Sequence, residues 1–134
     1  MESGSATLTY LISEPFESAL KSVREVLAKE DLRVPLELDV TARIRKELGL
    51  SLAPCRVLFV DSPVLLLEAV TLDRTVAAIL PLHVALAGHG PHTRVHLISS
   101  SGGFHVNLPR ELQARIVRAV EKIASRQAVC ELVA

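Results

Sequence analysis

The sequence predicts an α+β domain whose mainly antiparallel sheet carries its helices on one face. Segments with the two-residue period of strands alternate with segments that have the period of amphipathic helices. Two predicted strands follow one another through a tight loop, which requires antiparallel pairing. The 134 residues, of which 49% are hydrophobic, can bury one core, and no linker divides them. We therefore expect a single domain over residues 1–134, with the order β-α-β-(α)-β-α-β-β-α.

The first part of the chain predicts a strand, a helix and a second strand. Residues 1–6 are small and polar and predict a flexible N-terminal tail, and the alternation in residues 7–13 predicts the first strand. Residues 14–31 begin with proline and acidic residues and continue with apolar residues at helical spacing, which predicts an amphipathic helix. Residues 33–40 alternate again. In this second strand we expect inward-facing Val34, Leu36, Leu38 and Val40, and outward-facing Arg33, Glu37 and Asp39.

The middle of the chain predicts a strand between two helices. A short helix from about Thr41 should end at Gly49, a residue suited to the left-handed position after a helix. Residues 55–61 are apolar on both faces, which predicts a central strand covered on both sides. Ser62 and Pro63 then begin a helix whose run at 64–67 is apolar on nearly every side. Such a helix must be buried by its own sheet or by a partner subunit.

The end of the chain predicts a loop and a long helix after a hairpin of two strands. Residues 99–106 are expected to form a flexible loop, and Asn107 is expected to cap the C-terminal helix. Residues 127–134 form a C-terminal extension. This extension fits either an extra edge strand or a helical continuation, and both alternatives stay open.

The charge balance and the apolar pattern argue against several classes of partner. Fifteen basic and fifteen acidic side chains give a formal net charge of zero, so no overall field attracts nucleic acid. The apolar runs are well short of the roughly 20 residues that a membrane helix needs, and the N-terminus has no secretory pattern. We expect a cytoplasmic protein that has no nucleic-acid or membrane partner and keeps Cys55 and Cys130 reduced.

Residues 80–97, with the sequence LPLHVALAGHGPHTRVHL, hold four of the five histidines. If residues 79–87 and 92–98 are strands joined by the loop GHGP, the predicted register pairs His83 with His96 and Ala85 with Arg94. One face of this hairpin is then a continuous aliphatic strip for the core: Leu82, Val84, Leu86, Val95 and Leu97. The other face carries alanine, arginine and histidine. In this register the Cβ atoms of the two paired histidines are roughly 5 Å apart.

This histidine pair has two interpretations. Both rings could reach one divalent metal ion, with a further ligand among His92, His105, Asp61, Glu37 and Asp39. No metal-binding motif with short spacing identifies any of these residues as a ligand. No cofactor other than this divalent metal is predicted. The alternative is a semi-polar surface: a face with small and weakly charged side chains suits a subunit interface or the floor of a small-ligand pocket.

Several segments resemble the family known as domain of unknown function 302, over roughly residues 8–124. These are TLTYLISEPFESALKSVREVL, ELDVTARIRKELGL, the strand PCRVLFVD, the Asp-Ser-Pro helix start and the pair Leu80-Pro81. The resemblance implies a compact α+β fold similar in topology to the half-repeat of TATA-box-binding protein, often assembled as a homodimer. Relatives commonly have cysteine at the position of Asp61, Cys after the proline at position 81, and Asn at the position of His83. Any chemistry of that region therefore depends here on Asp61 and His83.

From these observations we expect an uncharacterised, non-catalytic and homodimeric binding or interaction module. Its candidate ligand-binding residues lie on or near the outward sheet face: Asp61, His83, Arg94, His96 and His105. The alternative is a metal-binding protein or a small-molecule enzyme that uses His83 and His96, with Asp61 or His105 as a base or further ligand.

Overall fold

The computed structural model describes residues 7–98 and 107–127. Its strands are β1 (Thr7–Ile12), β2 (Arg33–Asp39), β3 (Cys55–Asp61), β4 (Leu82–His89), β5 (His92–Ile98) and β6 (Ser125–Arg126), and its α-helices are α1 (Phe16–Lys29), α2 (Val40–Leu48), α3 (Pro63–Leu72) and α4 (Asn107–Glu121). A 3₁₀ helix over Arg74–Ile79 precedes β4. The predicted tail, the predicted loop at 99–106, His105 and residues 128–134 of the extension lie outside the described residues.

The strands form one six-stranded sheet in the order β2-β3-β4-β5-β1-β6, and every neighbouring pair is antiparallel. The predicted α+β class is therefore confirmed, and the sheet order is consistent with the topology that the family resemblance implies. The short strand β6 pairs with β1 immediately before the C-terminal extension. Among the helices in residues 7–98 and 107–127, none has the length and apolar character needed to cross a bilayer.

Helices α1 and α4 pack against one face of the sheet and enclose the core. Their apolar stripes bury Leu20 and Leu27 of α1 and Leu112 and Ile116 of α4. The predicted helix boundaries are confirmed where the chain has capping residues: the Ser62 side chain accepts a hydrogen bond from the Leu65 amide at the start of α3, and Gly49 adopts the left-handed conformation after α2. These caps fix where each helix begins or ends relative to the strands.

The prediction for β2 is wrong in its second half. Leu36 and Leu38 are 60% and 37% exposed, whereas Glu37 faces the helices and accepts two hydrogen bonds from Arg24 of α1. A β-bulge between Arg33 and Leu36 causes the reversal, because one extra residue moves every later side chain to the other face. Pro35 lies at this bulge, on the edge strand, where a residue without an N–H group is tolerated. Val40 belongs to α2 and not to the strand.

Strand β3 and helix α3 are less covered than their apolar sequences predict. On β3, Leu58 and Val60 are fully buried, but Val57 on the opposite side remains partly accessible. On α3, Leu65 is buried whereas Leu67 is 66% exposed. Within the described residues, β3 and α3 therefore each bury one side only, and nothing in the described structure covers the other side of either element.

The hairpin has the predicted faces and a different register. All five residues of the aliphatic strip are buried, at 4% exposure or less, which confirms which side faces the core. The observed pairs are Ala85 with His96 and Ala87 with Arg94, a shift of two residues from the prediction. The cause is a turn of two residues instead of four: Gly90 has a φ of 62° and Pro91 follows, a combination that suits a type II′ turn. A shift of two residues preserves the faces.

Candidate functional site

The face of the sheet that turns away from α1 and α4 is the candidate site, and we call it the open face. Residues paired directly across neighbouring strands point to the same side, so the registers define its members. On the central strands these members alternate with the buried Leu58, Val84 and Val95. The open face consists of Thr7, Thr9, Leu11, Arg33, Leu36, Leu38, Cys55, Val57, Phe59, Asp61, His83, Ala85, Ala87, His89, His92, Arg94, His96 and Ile98.

Three parallel rows of side chains cross the open face. The first runs from Leu36 through Phe59 to His83; the second from Leu38 through Val57, Ala85 and His96 to Thr9; and the third from Cys55 through Ala87 and Arg94 to Leu11. The side formed by β2, β3 and β4 is mostly apolar apart from Arg33, Asp61, His83 and His89, and the β5 side carries Arg94 and His96. The face therefore has an apolar half and a basic half.

The imidazole of His83 lies in the first row, exposed, with its ring edge-on against Phe59. The two ring centroids are 4.8 Å apart and the planes are inclined by 74°. Beside them is a cavity of about 380 Å³. It is lined by Phe59, His83 and Ile98 of the sheet and by the connection before β4, including Ala78, Leu80 and Pro81. This concavity is mainly apolar and offers one imidazole for hydrogen bonding.

His96 is held in a different environment, in the basic half. Its Nδ1 atom is hydrogen-bonded to the Thr9 hydroxyl at 3.0 Å. Burial lowers the pKa of the His96 ring below its usual range, and the positive charges of Arg94 and His89 lower it further. The ring is therefore neutral near pH 7, and the region around it has a positive potential.

The predicted pairing of His83 with His96 is wrong, because His96 lies opposite Ala85. The two histidines are diagonal neighbours on adjacent strands, a relation in which Cβ atoms are roughly 7 Å apart. Glu37 and Asp39, two of the candidate further ligands, lie on the helix side and are paired with arginines there. Among the residues that the structure describes, no three histidine, cysteine or acidic side chains form a cluster able to hold a metal ion.

Asp61 lies at the corner of the open face where β3 ends. Ser62, and not Asp61, caps the helix that follows. Burial raises the pKa of the Asp61 carboxyl, and the opposite effect of Arg33, its neighbour across β2, is smaller. Within the described residues, no hydrogen bond or close ion pair engages this carboxylate. Arg33 is instead bonded to Asp31 at 3.1 Å.

Arg94 lies at the diagonally opposite corner, partly buried between β4 and β1. Its Nε atom is inaccessible to solvent and has no hydrogen-bond acceptor in the described structure. By contrast, Arg24 and Arg56 on the other face both bind carboxylates. An unsatisfied buried donor costs about 1–3 kcal/mol. Among the described residues, the open face therefore holds a cation, Arg94, and an anion, Asp61, at opposite corners, and neither has a hydrogen-bond or close ion-pair partner.

The structure brings together part of the predicted site. Asp61, His83, Arg94 and His96 all lie on the open face, while His105 is outside the described residues. The sequence does not indicate the apolar half, because the alternation of β2 predicts that Leu36 and Leu38 face the core. Pro35 could have indicated the reversal of faces in β2, because proline within a strand marks an edge strand or a bulge.

Comparisons with known proteins agree with this fold. A family model described as "Domain of unknown function DUF302" matches residues 8–125. A crystal structure of the uncharacterized conserved protein DUF302 from Bacillus stearothermophilus is similar, with a TM-score of 0.79 and 16% sequence identity, over 90% of this chain and 99% of that chain. At that identity the likeness shows the fold alone. No curated protein matches the sequence.

Proposed function

This chain belongs to the DUF302 family, and on that premise we propose that it is a non-catalytic interaction domain that forms a homodimer through the open face of its sheet. The second copy covers the side of β3 and the open-face leucines that the described residues of one chain leave exposed. The basic half lies in the same contact, so the histidines line the dimer seam and do not form a catalytic centre.

The observation that supports the proposal is the contiguous apolar surface on the outer side of β2, β3 and β4. Leu36 and Leu38 of β2 are 60% and 37% exposed, and Phe59 and Val57, which lie opposite them on β3, are only partly covered. Isolated exposed apolar residues are ordinary on protein surfaces, but adjacent ones across several strands mark an interaction surface. The zero net charge adds no long-range repulsion between two copies.

The size of the face supports a contact that uses all of it. The apolar half alone, three strands wide and three rows long, covers roughly 300 Å² in projection, which is within the range of patches on monomers. The whole sheet covers roughly 600 Å² in projection, and its accessible area is larger because side chains corrugate it. A standard interface buries about 800 Å² on each partner. A stable homodimer must therefore cover the basic half as well.

Analytical ultracentrifugation of the untagged protein tests this proposal. We expect a species of twice the 14.5 kDa chain mass at micromolar concentration. Leu38→Lys, in the second row of the open face, should produce a monomer because it places a charge in the seam. The matched control is Leu67→Lys, since Leu67 is at least as exposed but lies on α3. A wild-type monomer, or a Leu38→Lys dimer as tight as wild type, would overturn the proposal.

A second candidate function is binding of a small molecule in the cavity beside His83. The supporting observation is the concavity of about 380 Å³, with apolar walls and a single exposed imidazole. Benzoate, an aromatic ring with one acceptor group, is a suitable first probe. Nuclear magnetic resonance signals of the His83 ring should shift on addition of benzoate and should not shift in a Phe59→Ala variant that remains folded. Unchanged signals in the wild-type protein would remove this candidate.

A further inference from the structure

Within the residues that the structure describes, Arg94 and Asp61 at opposite corners of the open face have no hydrogen-bond or close ion-pair partner. We propose that, across the homodimer seam, Arg94 of each copy pairs with Asp61 of the other, so that two symmetry-related ion pairs fix how the copies are placed. This inference rests on the proposed self-association and adds the register of the contact and the residues that determine it.

The two groups are too far apart to meet within one chain. Arg94 on β5 is opposite Ala87 on β4, which is opposite Cys55 on β3. Asp61 is six residues farther along β3. Two strand spacings and six residue rises place the two positions roughly 10 Å apart across the sheet and roughly 20 Å apart along it. Among the described residues, Asp61 therefore cannot reach Arg94 of its own chain, whereas a second molecule can bring this carboxylate to Arg94.

A contact with twofold symmetry forms the pair of Arg94 and Asp61 twice, once on each side of the axis. In an isologous interface, a residue that contacts a second residue of the partner is matched by the reverse contact. The midpoint between Arg94 and Asp61 falls on β4, between His83 and Ala85, close to the centre of the open face. A twofold axis that passes between the two faces at this point, perpendicular to the line joining the two groups, lays each Arg94 over the partner's Asp61. Because the point is central, the same placement gives extensive overlap of the two faces.

The electrostatic environment of each corner favours the ion pair between Arg94 of one copy and Asp61 of the other. At the Arg94 corner, the neighbouring side chains of His96 and His89 supply no carboxylate that could pair with the guanidinium. At the Asp61 corner, Arg33 is largely committed to Asp31 and has a side chain that is 56% exposed. Covering either charge with an apolar surface and no counter-charge is strongly unfavourable, so a seam across the whole face has to pair them. Among the described members of the open face, Asp61 is the one carboxylate available.

Charge reversal tests the pairing. Arg94→Glu alone and Asp61→Arg alone each convert both ion pairs into like-charge contacts, and each should weaken the dimer about 100-fold by sedimentation equilibrium. The two single variants mixed together should form a heterodimer, because both pairs are then restored with reversed polarity at one of them. The double variant should recover dimerisation to within about tenfold of wild type. Arg118→Glu, an exposed arginine on α4 against the opposite face, is the matched control and should dimerise like wild type.

The outcomes separate this inference from the proposed function. If the wild-type protein is a dimer and the single variants dimerise equally well, or if mixing them restores nothing, the Arg94 and Asp61 pairing is wrong while self-association stands. If the wild-type protein is a monomer, the proposed function itself fails. Circular dichroism of each variant before mixing checks the fold, and Arg94→Gln with Asp61→Asn replaces any reversed variant that does not fold. In that neutral series the same pairing predicts a smaller weakening for each single variant and no further weakening in the double variant.

Discussion

The ionisation of Tyr10 leads to a specific prediction of how the stability of the protein depends on pH. Tyr10 is 1% exposed, and its hydroxyl donates a hydrogen bond of 2.9 Å to the carboxylate of Glu121 at the end of α4. Burial first, and then this acceptor and its negative charge, raise the pKa of Tyr10 to about 12 from the ordinary value of 10. The bond connects α4 to β1, so its strength reports on how the last helix is held to the sheet.

The sign of the pH dependence follows from which state holds the proton. Below pH 10 the phenol is protonated in both states, and the stability it contributes is complete. Between pH 10 and 12 the unfolded chain loses this proton while the folded protein retains it, so the free energy of unfolding falls as pH rises. Two pKa units correspond to about 2.7 kcal/mol in total, of which about 1.4 kcal/mol should be lost by pH 11.

The chain offers a direct assay, because Tyr10 is its one tyrosine and it has no tryptophan. Tyrosinate absorbance near 295 nm should show half-ionisation at about pH 12 in the folded protein and at about pH 10 in concentrated urea. Tyr10→Phe should cost about 1 kcal/mol at pH 7, since the exposed Glu121 regains water, and should lack the alkaline loss. Folded-state ionisation near pH 10 would refute the reasoning, because the hydroxyl would then be neither buried nor bonded to Glu121.

Two further predictions concern the hairpin and its histidines. Gly90→Ala should destabilise the protein by about 1 kcal/mol in urea unfolding, because the new methyl group meets nothing within 4 Å and the cost is that of the positive φ alone; a neutral result would mean that the turn is not of this type. Protein purified without a histidine tag should contain equal and negligible metal as wild type and as His83→Ala/His96→Ala, because the register separates the two rings; bound metal that disappears in the variant would support the metal-binding alternative.

The faces of the hairpin could be predicted from the sequence, whereas its register could not. Apolar residues at every second position from Leu82 to Leu86 permit only one inward face, and burial enforces it. The number of residues in the turn is not fixed by that alternation. Loops of two and four residues both preserve the faces, and the conformations of Gly90 and Pro91 decide between them. The expected meeting of His83 with His96 depended on this undetermined quantity.

The extent of the site could not be predicted because of one inserted residue. The alternation of β2 correctly predicts a strand. The bulge before Leu36, however, exchanges which side chains face the core and which face outward. With the leucines on the outside, the open face gained its apolar half. That Arg94 and Asp61 lack partners among the described residues could not be predicted from the sequence either, because it depends on the three-dimensional positions of the surrounding side chains.

The bulge at Pro35 has a consequence for how the chain avoids uncontrolled polymerisation. Strand β2 is an edge of the described sheet, and a regular edge offers a row of amide and carbonyl groups onto which another strand can add without end. Proline contributes no amide hydrogen, and the local irregularity breaks the repeat that strand addition requires. This irregularity discourages the growth of fibrils from this edge, although Leu36 and Leu38 expose apolar side chains beside it.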